Sequence, residues 1–106
     1  MNTASLISLF FAGAFLCNSI PHLASGLQGR PFPTPFATPR GVGDSSPLIN
    51  VYWGALNLIL GLVIVMRHPL AFDISPGPVA LTAGALALGT YLAVHFGTVQ
   101  AKKSTR

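Results

Sequence analysis

Long uncharged stretches alternate along this chain with short gaps that hold every charged side chain. Arg30, Arg40 and Asp44 lie in the first gap, Arg67 and Asp73 in the second, and Lys102, Lys103 and Arg106 at the C-terminal end. The uncharged runs between them cover residues 1–29, 45–66 and 74–101. A helix that crosses a bilayer needs roughly 20 mainly apolar residues at about 1.5 Å rise each. All three runs are long enough. The pattern predicts an all-α membrane protein, with three transmembrane helices in up-down-up order and a Pro/Gly-rich loop between the first two. Residues 1–106 form one domain, with spans at about 4–23, 47–66 and 78–99, the loop at 24–46 and a basic tail at 100–106.

Local signals place the boundaries. Span 1 is apolar up to Cys17 and then reads Asn18-Ser19-Ile20-Pro21-His22. Pro21 removes one backbone donor and disfavours helical geometry at Ile20, so the helix should kink there or end within a turn. Span 2 opens on Ser46, a good cap, and Pro47, which suits a first helical position. It stops at Arg67-His68-Pro69, and span 3 follows Pro76-Gly77-Pro78. Pro31, Pro33, Pro35 and Pro39 exclude a helix from the long loop and favour extended polyproline geometry. Phe32 and Phe36 are unusual in a plain linker. Either their rings dip into the headgroup layer, or the loop folds as a lid over the helix ends. The second arrangement needs protein or water to cover its backbone.

Orientation follows from the basic residues. The loop 24–46 and the C-terminus share a side that carries Arg30, Arg40, Lys102, Lys103 and Arg106, against Arg67 alone on the other. The excess of Lys and Arg on cytoplasmic segments predicts an inner (plasma) membrane protein with its N-terminus outside and its C-terminus in the cytoplasm. Ala12-Gly13-Ala14 has the small residues of a signal cleavage site. No Lys or Arg precedes Arg30, however, so an uncleaved first span is expected.

Composition narrows the class. Only 8% of residues are charged and 51% are hydrophobic, whereas soluble domains carry about 25% charge. The net charge of +4 reads as topology signal and contact with anionic lipid, not as nucleic-acid binding. Cys17 is the single cysteine, so no intrachain disulfide can form. Asp44 and Asp73, the only acidic residues, are in loops. A carboxylate that couples proton movement across the membrane is therefore missing from the spans. Neither a Gly-rich phosphate loop, a Ser/His/Asp set nor a Cys-x-x-Cys motif is present.

The polar residues inside the spans gather at one depth. His22 falls near the inner end of span 1, Asn50 near the inner start of span 2 and His95 near the inner end of span 3. About one turn deeper come Asn18, Trp53 and Tyr91, with Asn57 beyond them. Asn18 and His22 are four apart, as are Tyr91 and His95, and Asn50, Trp53, Gly54, Asn57 and Gly61 share one face. Buried polar groups in hydrocarbon need partners, so the stripes should face one another. In the structural reading, the asparagines are interhelical glue at about 0.6 kcal/mol each, Trp53 is an interfacial anchor, and the histidines reach the interface. In the functional reading, His22, Asn18, Asn50, Trp53, Tyr91 and His95 line a pocket beneath Phe32 and Phe36. That pocket would hold haem, a quinone or a lipid-like molecule. His68 belongs to the opposite side, and two histidines without a nearby Cys or carboxylate do not make a closed zinc site.

Ala85, Gly89, Ala93 and Gly97 recur at every fourth position of span 3, a ridge of small residues that lets another helix approach. It suits packing within the chain, a homo-oligomer or a larger membrane complex. Three function classes follow. The first is a non-enzymatic accessory or scaffold subunit that associates through this ridge. The second is the binding module, with haem as one candidate cofactor. The third is a holin-like pore former, which rests on topology alone and leaves the Pro-rich loop unexplained.

Overall fold

The structure, a computed structural model, describes residues 1–104; Arg106, counted above in the basic tail, lies outside the described residues. The elements run α1 (Thr3–Leu27), β1 (Phe32–Pro33), β2 (Asp44–Ser45), α2 (Pro47–Arg67) and α3 (Pro76–Ser104). All three helices are long and apolar enough to cross a membrane. The long axis of the molecule measures 49 Å, against about 40–45 Å for a bilayer with its headgroups. Side chains such as Tyr52, Ile59, Leu62, Leu86 and Val94 are exposed on the outer faces of the helices. In water such a surface would be unfavourable, whereas in lipid it is the ordinary exterior.

Helix α1 is the centre of the bundle, with α2 packed along one side and α3 along the other. Contacts between α1 and α2 run in opposite directions along the two helices. Gly61 lies against Ala12 and Leu16, Gly54 against Leu23, and Val51 and the Pro47 carbonyl against Gly26. Contacts with α3 ascend together instead, from Gly84 on Phe10 to Gly89 on Cys17. Both interfaces depend on missing side chains. A Cβ on Gly54 would stand 2.9 Å from the Leu23 backbone nitrogen. At the α1–α3 crossing, a Cβ on Gly13 or Gly84 would run into the carbonyl oxygens of Leu81 or Phe10. Dispersion contacts of this kind hold helices together where lipid removes the hydrophobic drive.

Helix α1 does not stop near Pro21. It continues to Leu27, because tertiary contacts pin the segment beyond the proline. His22 is bonded to Asn50, and Gly26 is pressed against the start of α2. Packing of this sort outweighs the lost donor. The helix ends in a Schellman motif. Gly29, at φ 72°, donates to the Gly26 carbonyl at 3.0 Å, and Arg30 N donates to the Ser25 carbonyl at 2.9 Å. At the start of α2, Ser46 Oγ accepts from Ile49 N at 3.2 Å, with Pro47 in the first turn. Ahead of α3, the Asp73 carboxylate accepts from the Ser75 hydroxyl and from Ser75 N, and both bonds hold it below the usual carboxylate range.

The Pro-rich connection is folded, not a free polyproline spacer. Phe32 pairs with Ser45 and Pro33 with Asp44 in a two-stranded antiparallel ladder. Thr34 and Ser45 share a buried hydroxyl–hydroxyl bond of 2.5 Å. Between the strands the chain turns back, with Gly41 N donating to the Thr34 carbonyl at 3.0 Å. The turn is tied to the end of α3. His95 Nε2 donates to the Gly41 carbonyl at 2.7 Å, and Lys103 pairs with Asp44 at 2.7 Å.

Candidate functional site

Asn50 organises the site. It is fully buried, and the two N–H groups of its amide meet three carbonyl oxygens, those of Phe32 at 3.0 Å, Ser45 at 3.2 Å and Ser46 at 3.1 Å, one N–H being shared. Three acceptors on one side fix which way the amide is turned. Asn50 Oδ1 must then face His22 Nδ1, 2.7 Å away. Because Oδ1 can only accept, His22 carries its proton on Nδ1. The remaining ring nitrogen, Nε2, is a lone-pair acceptor in the neutral imidazole. Sequence places this asparagine one turn into α2, where it can reach back to the loop and across to α1 together.

A second polar pair lies deeper. Asn57 Nδ2 donates to the Trp53 carbonyl at 2.8 Å, which turns its Oδ1 toward Asn18. Asn18 Nδ2 donates to that oxygen at 3.0 Å. Asn18 Oδ1 is left without a hydrogen bond. His95 has its Nε2 committed to Gly41, so its Nδ1 is the acceptor when the ring is neutral.

These groups surround a cavity of about 480 Å³ between the three helices and the loop. The size falls within the usual range for small-molecule sites, about 300–1,000 Å³. His22, Asn18, Trp53, Tyr91 and His95 all line it, with Phe11, Phe15, Leu88, Leu92 and Phe96 forming apolar wall. The loop supplies Pro33, Thr34, Pro35 and Gly41. Three residues singled out in the sequence, Asn50, Phe32 and Phe36, are not part of this lining. Asn50 supports His22 from outside the cavity, and Phe32 stands edge-on to the His22 ring at 5.5 Å between centroids. Phe36 stands at 88° to the Trp53 indole, 5.0 Å between centroids, while its own ring is 65% exposed. Tyr91 stacks on His95 at an interplanar angle of 6°.

No protein-family model, no curated protein and no solved structure matches this chain.

One polar atom of the site stands out. Trp53 Nε1 is fully covered and has no hydrogen-bond partner, alone in this among the buried side-chain nitrogens and oxygens of the described residues. Buried donors are normally paired, and an unpaired one asks for a reason. Two rings stand edge-on to this indole, Phe36 of the loop and His22 of α1. His22 Nε2 is also unpaired, but it is not covered in this way.

The two histidines do not present matched nitrogens. His22 offers Nε2, while His95 has spent Nε2 on the loop backbone. A haem held through Nε2 of both rings would have to break the Gly41 bond. Among the described residues, no group of three or more His, Cys, Asp or Glu gathers where it could hold a metal ion.

Phe96 was not singled out in the sequence, yet its ring meets those of His22, Phe32 and His95. The signal was present in the spacing Leu88, Leu92, Phe96, one face of α3. The small-residue ridge takes a divided position. Ala85 lies at the α1 contact opposite Gly13, and a Cβ on Gly89 would only touch Cys17 Sγ at 3.4 Å. Ala93 is exposed, and Gly97 has open space around its Cα. The closest approach of α3 to α1 uses Gly84, one residue away from the ridge.

Proposed function

We propose that this chain is a multi-pass membrane protein that binds a lipid-like molecule in the cavity beneath loop 28–46. The observation that carries the reading is the cavity's combination of an apolar wall with one oriented imidazole nitrogen, His22 Nε2, which the protein leaves uncovered. Building that nitrogen takes an asparagine with four hydrogen bonds at the junction of two helices and the loop. A purely structural polar pair does not need an open face.

The helices cross the bilayer in up-down-up order. Support comes from the ties between the loop and the end of α3, Lys103 to Asp44 and His95 to Gly41. The membrane is the inner one, and the basic side, with the loop and C-terminus, is cytoplasmic. Alkaline phosphatase fused after Leu70 is expected to be active and after Arg40 inactive; the reverse pattern overturns the orientation.

Ala14 lines the cavity, so Ala14→Phe fills it. Native mass spectrometry from mild detergent should find an apolar molecule retained by the wild-type protein and lost from this variant. Equal retention by both would show that the molecule sits elsewhere.

A second reading, the accessory or scaffold subunit, draws on a different observation. A groove lined by Leu16, Cys17, Ile20, Gly89, Thr90 and Ala93 lies open on the other face of α1 and α3. In this reading the groove and Gly97 receive a helix of a partner or of a second copy. The two readings use different faces and are compatible.

A further inference from the structure

The cavity offers several acceptors that no protein donor meets. His22 Nε2 and Asn18 Oδ1 are acceptors without donors, and His95 Nδ1 is a third in the neutral ring. All three belong to residues that line the cavity. None of the three is sealed by protein, since the single sealed and unpaired side-chain atom among the described residues is Trp53 Nε1. Potential donors are few. The Asn50 amide nitrogen is spent on three protein carbonyls, the Thr34 hydroxyl is tied to Ser45 and the Trp53 indole is covered, while Asn18 and Asn57 each give one of their two amide N–H groups to a protein oxygen. Tyr91 carries a hydroxyl, but it is 59% exposed.

Among the described residues, no Asp, Glu, Lys or Arg lines the cavity. An anionic headgroup would find no cation there. An ammonium group would leave water with no carboxylate to meet it, at a cost of several kcal/mol or more. In the neutral rings, with one proton given to Asn50 or to Gly41, the other nitrogen of each histidine is an acceptor.

Resting on the reading of this cavity as a ligand site, we infer that its ligand is a neutral amphiphile whose headgroup donates hydrogen bonds. The chemical class is an apolar ring or chain that carries a hydroxyl group. It is recognised by His22 Nε2 and Asn18 Oδ1, with the aromatic wall around the remainder. Two sources share this chemistry, a long-chain lipid alcohol and a reduced quinone (a hydroquinone). In the second case the protein binds the reduced form in preference to the oxidised one, because a quinone carbonyl can only accept and gains no bond from His22 Nε2 or Asn18 Oδ1. No redox step is implied. The preference is a binding difference between two forms prepared beforehand.

Trp53 is the only tryptophan and lines the cavity, so its emission reports occupancy. The protein is placed in nanodiscs and titrated with a bromine-tailed long-chain alcohol and with its methyl ether, which has the same tail and no donor. The alcohol should quench saturably and about tenfold more tightly than the ether, equivalent to about 1.4 kcal/mol. In Asn18→Leu the preference should shrink several-fold while the ether midpoint stays in place. Equal midpoints for alcohol and ether in the wild type would overturn the hydroxyl selectivity and leave the cavity standing. Absence of saturable quenching by either would remove the cavity reading itself. A bromine-tailed alkylammonium that binds more tightly than the alcohol would overturn the neutrality. A prenylated hydroquinone is run beside its quinone and its dimethyl ether. Tighter binding of the hydroquinone than of the long-chain alcohol marks the ring source, and the converse marks the lipid alcohol. A quinone that binds as tightly as its hydroquinone counts against the inference.

Discussion

At the scale of single residues, Asn50 and His22 carry the account. Asn50 closes four hydrogen bonds at full burial, whereas Asn18 makes one and is half-buried. Removing one partner of a buried bond strands the others at about 1–3 kcal/mol per group. An isolated interhelical bond in a membrane is worth only about 0.6 kcal/mol. Asn50→Leu is therefore expected to cost on the order of 3 kcal/mol and Asn18→Leu well under 1 kcal/mol. Chemical unfolding in mixed micelles would measure both, and equal losses would contradict the central place given to Asn50. That His22 and Asn50 lie at one depth can be read from the sequence, because each sits a few residues from a span end. Their bond cannot be read there, nor can the three loop carbonyls that orient the amide. Those depend on how β1 and β2 fold back, which prolines alone do not specify. The uncovered state of His22 Nε2 and the covered one of Trp53 Nε1 are likewise properties of the assembled walls.

At the scale of elements, the two interfaces of α1 differ in how far the sequence discloses them. On α2, Asn50, Gly54, Asn57 and Gly61 stand out against a strongly apolar helix, and these four are its buried residues. On α3, Gly and Ala are spread around the helix, so several faces look equally suited to close packing. The face Ala85–Gly97 has the more regular repeat, yet the tightest contact falls at Gly84 on Phe10. Only the Phe10 carbonyl, supplied by another helix, decides between them. The extension of α1 to Leu27 was hidden for the same reason, since Pro21 argues locally against what Gly26 and His22 secure by packing. Gly84→Leu is expected to separate α1 from α3 and to lower the thermal midpoint by ten degrees or more, about 2–3 kcal/mol for a chain of this size. Gly97→Leu should leave that midpoint in place, because its Cα faces open space. On blue-native gels Gly97→Leu should shift any oligomer toward monomer if the ridge meets a partner. An unchanged gel pattern would assign that face to lipid.

At the scale of the whole molecule, the loop and the far end of α3 form one closed end. The Lys103–Asp44 pair is partly exposed on both sides, at 22% and 42%, so it contributes at most about 1 kcal/mol. The buried contacts beneath it do more to hold the loop. His22 and Phe96 join α1, α3 and β1 through ring edges. The number of helices long and apolar enough to cross a membrane was plain from the charge gaps. The space enclosed at one end was not, because a cavity is the difference between walls that the chain builds from four separate segments. The claim that this space admits an apolar molecule has a direct measurement. Trp53 emission is followed in nanodiscs as a bromine-tailed alcohol is added, in the wild type and in Ala14→Phe. Quenching that saturates in the wild type, and rises only in proportion to the bromine content of the bilayer in the variant, is the predicted result. Proportional quenching in both proteins would contradict it, and would show that the indole meets bromine only through the surrounding lipid.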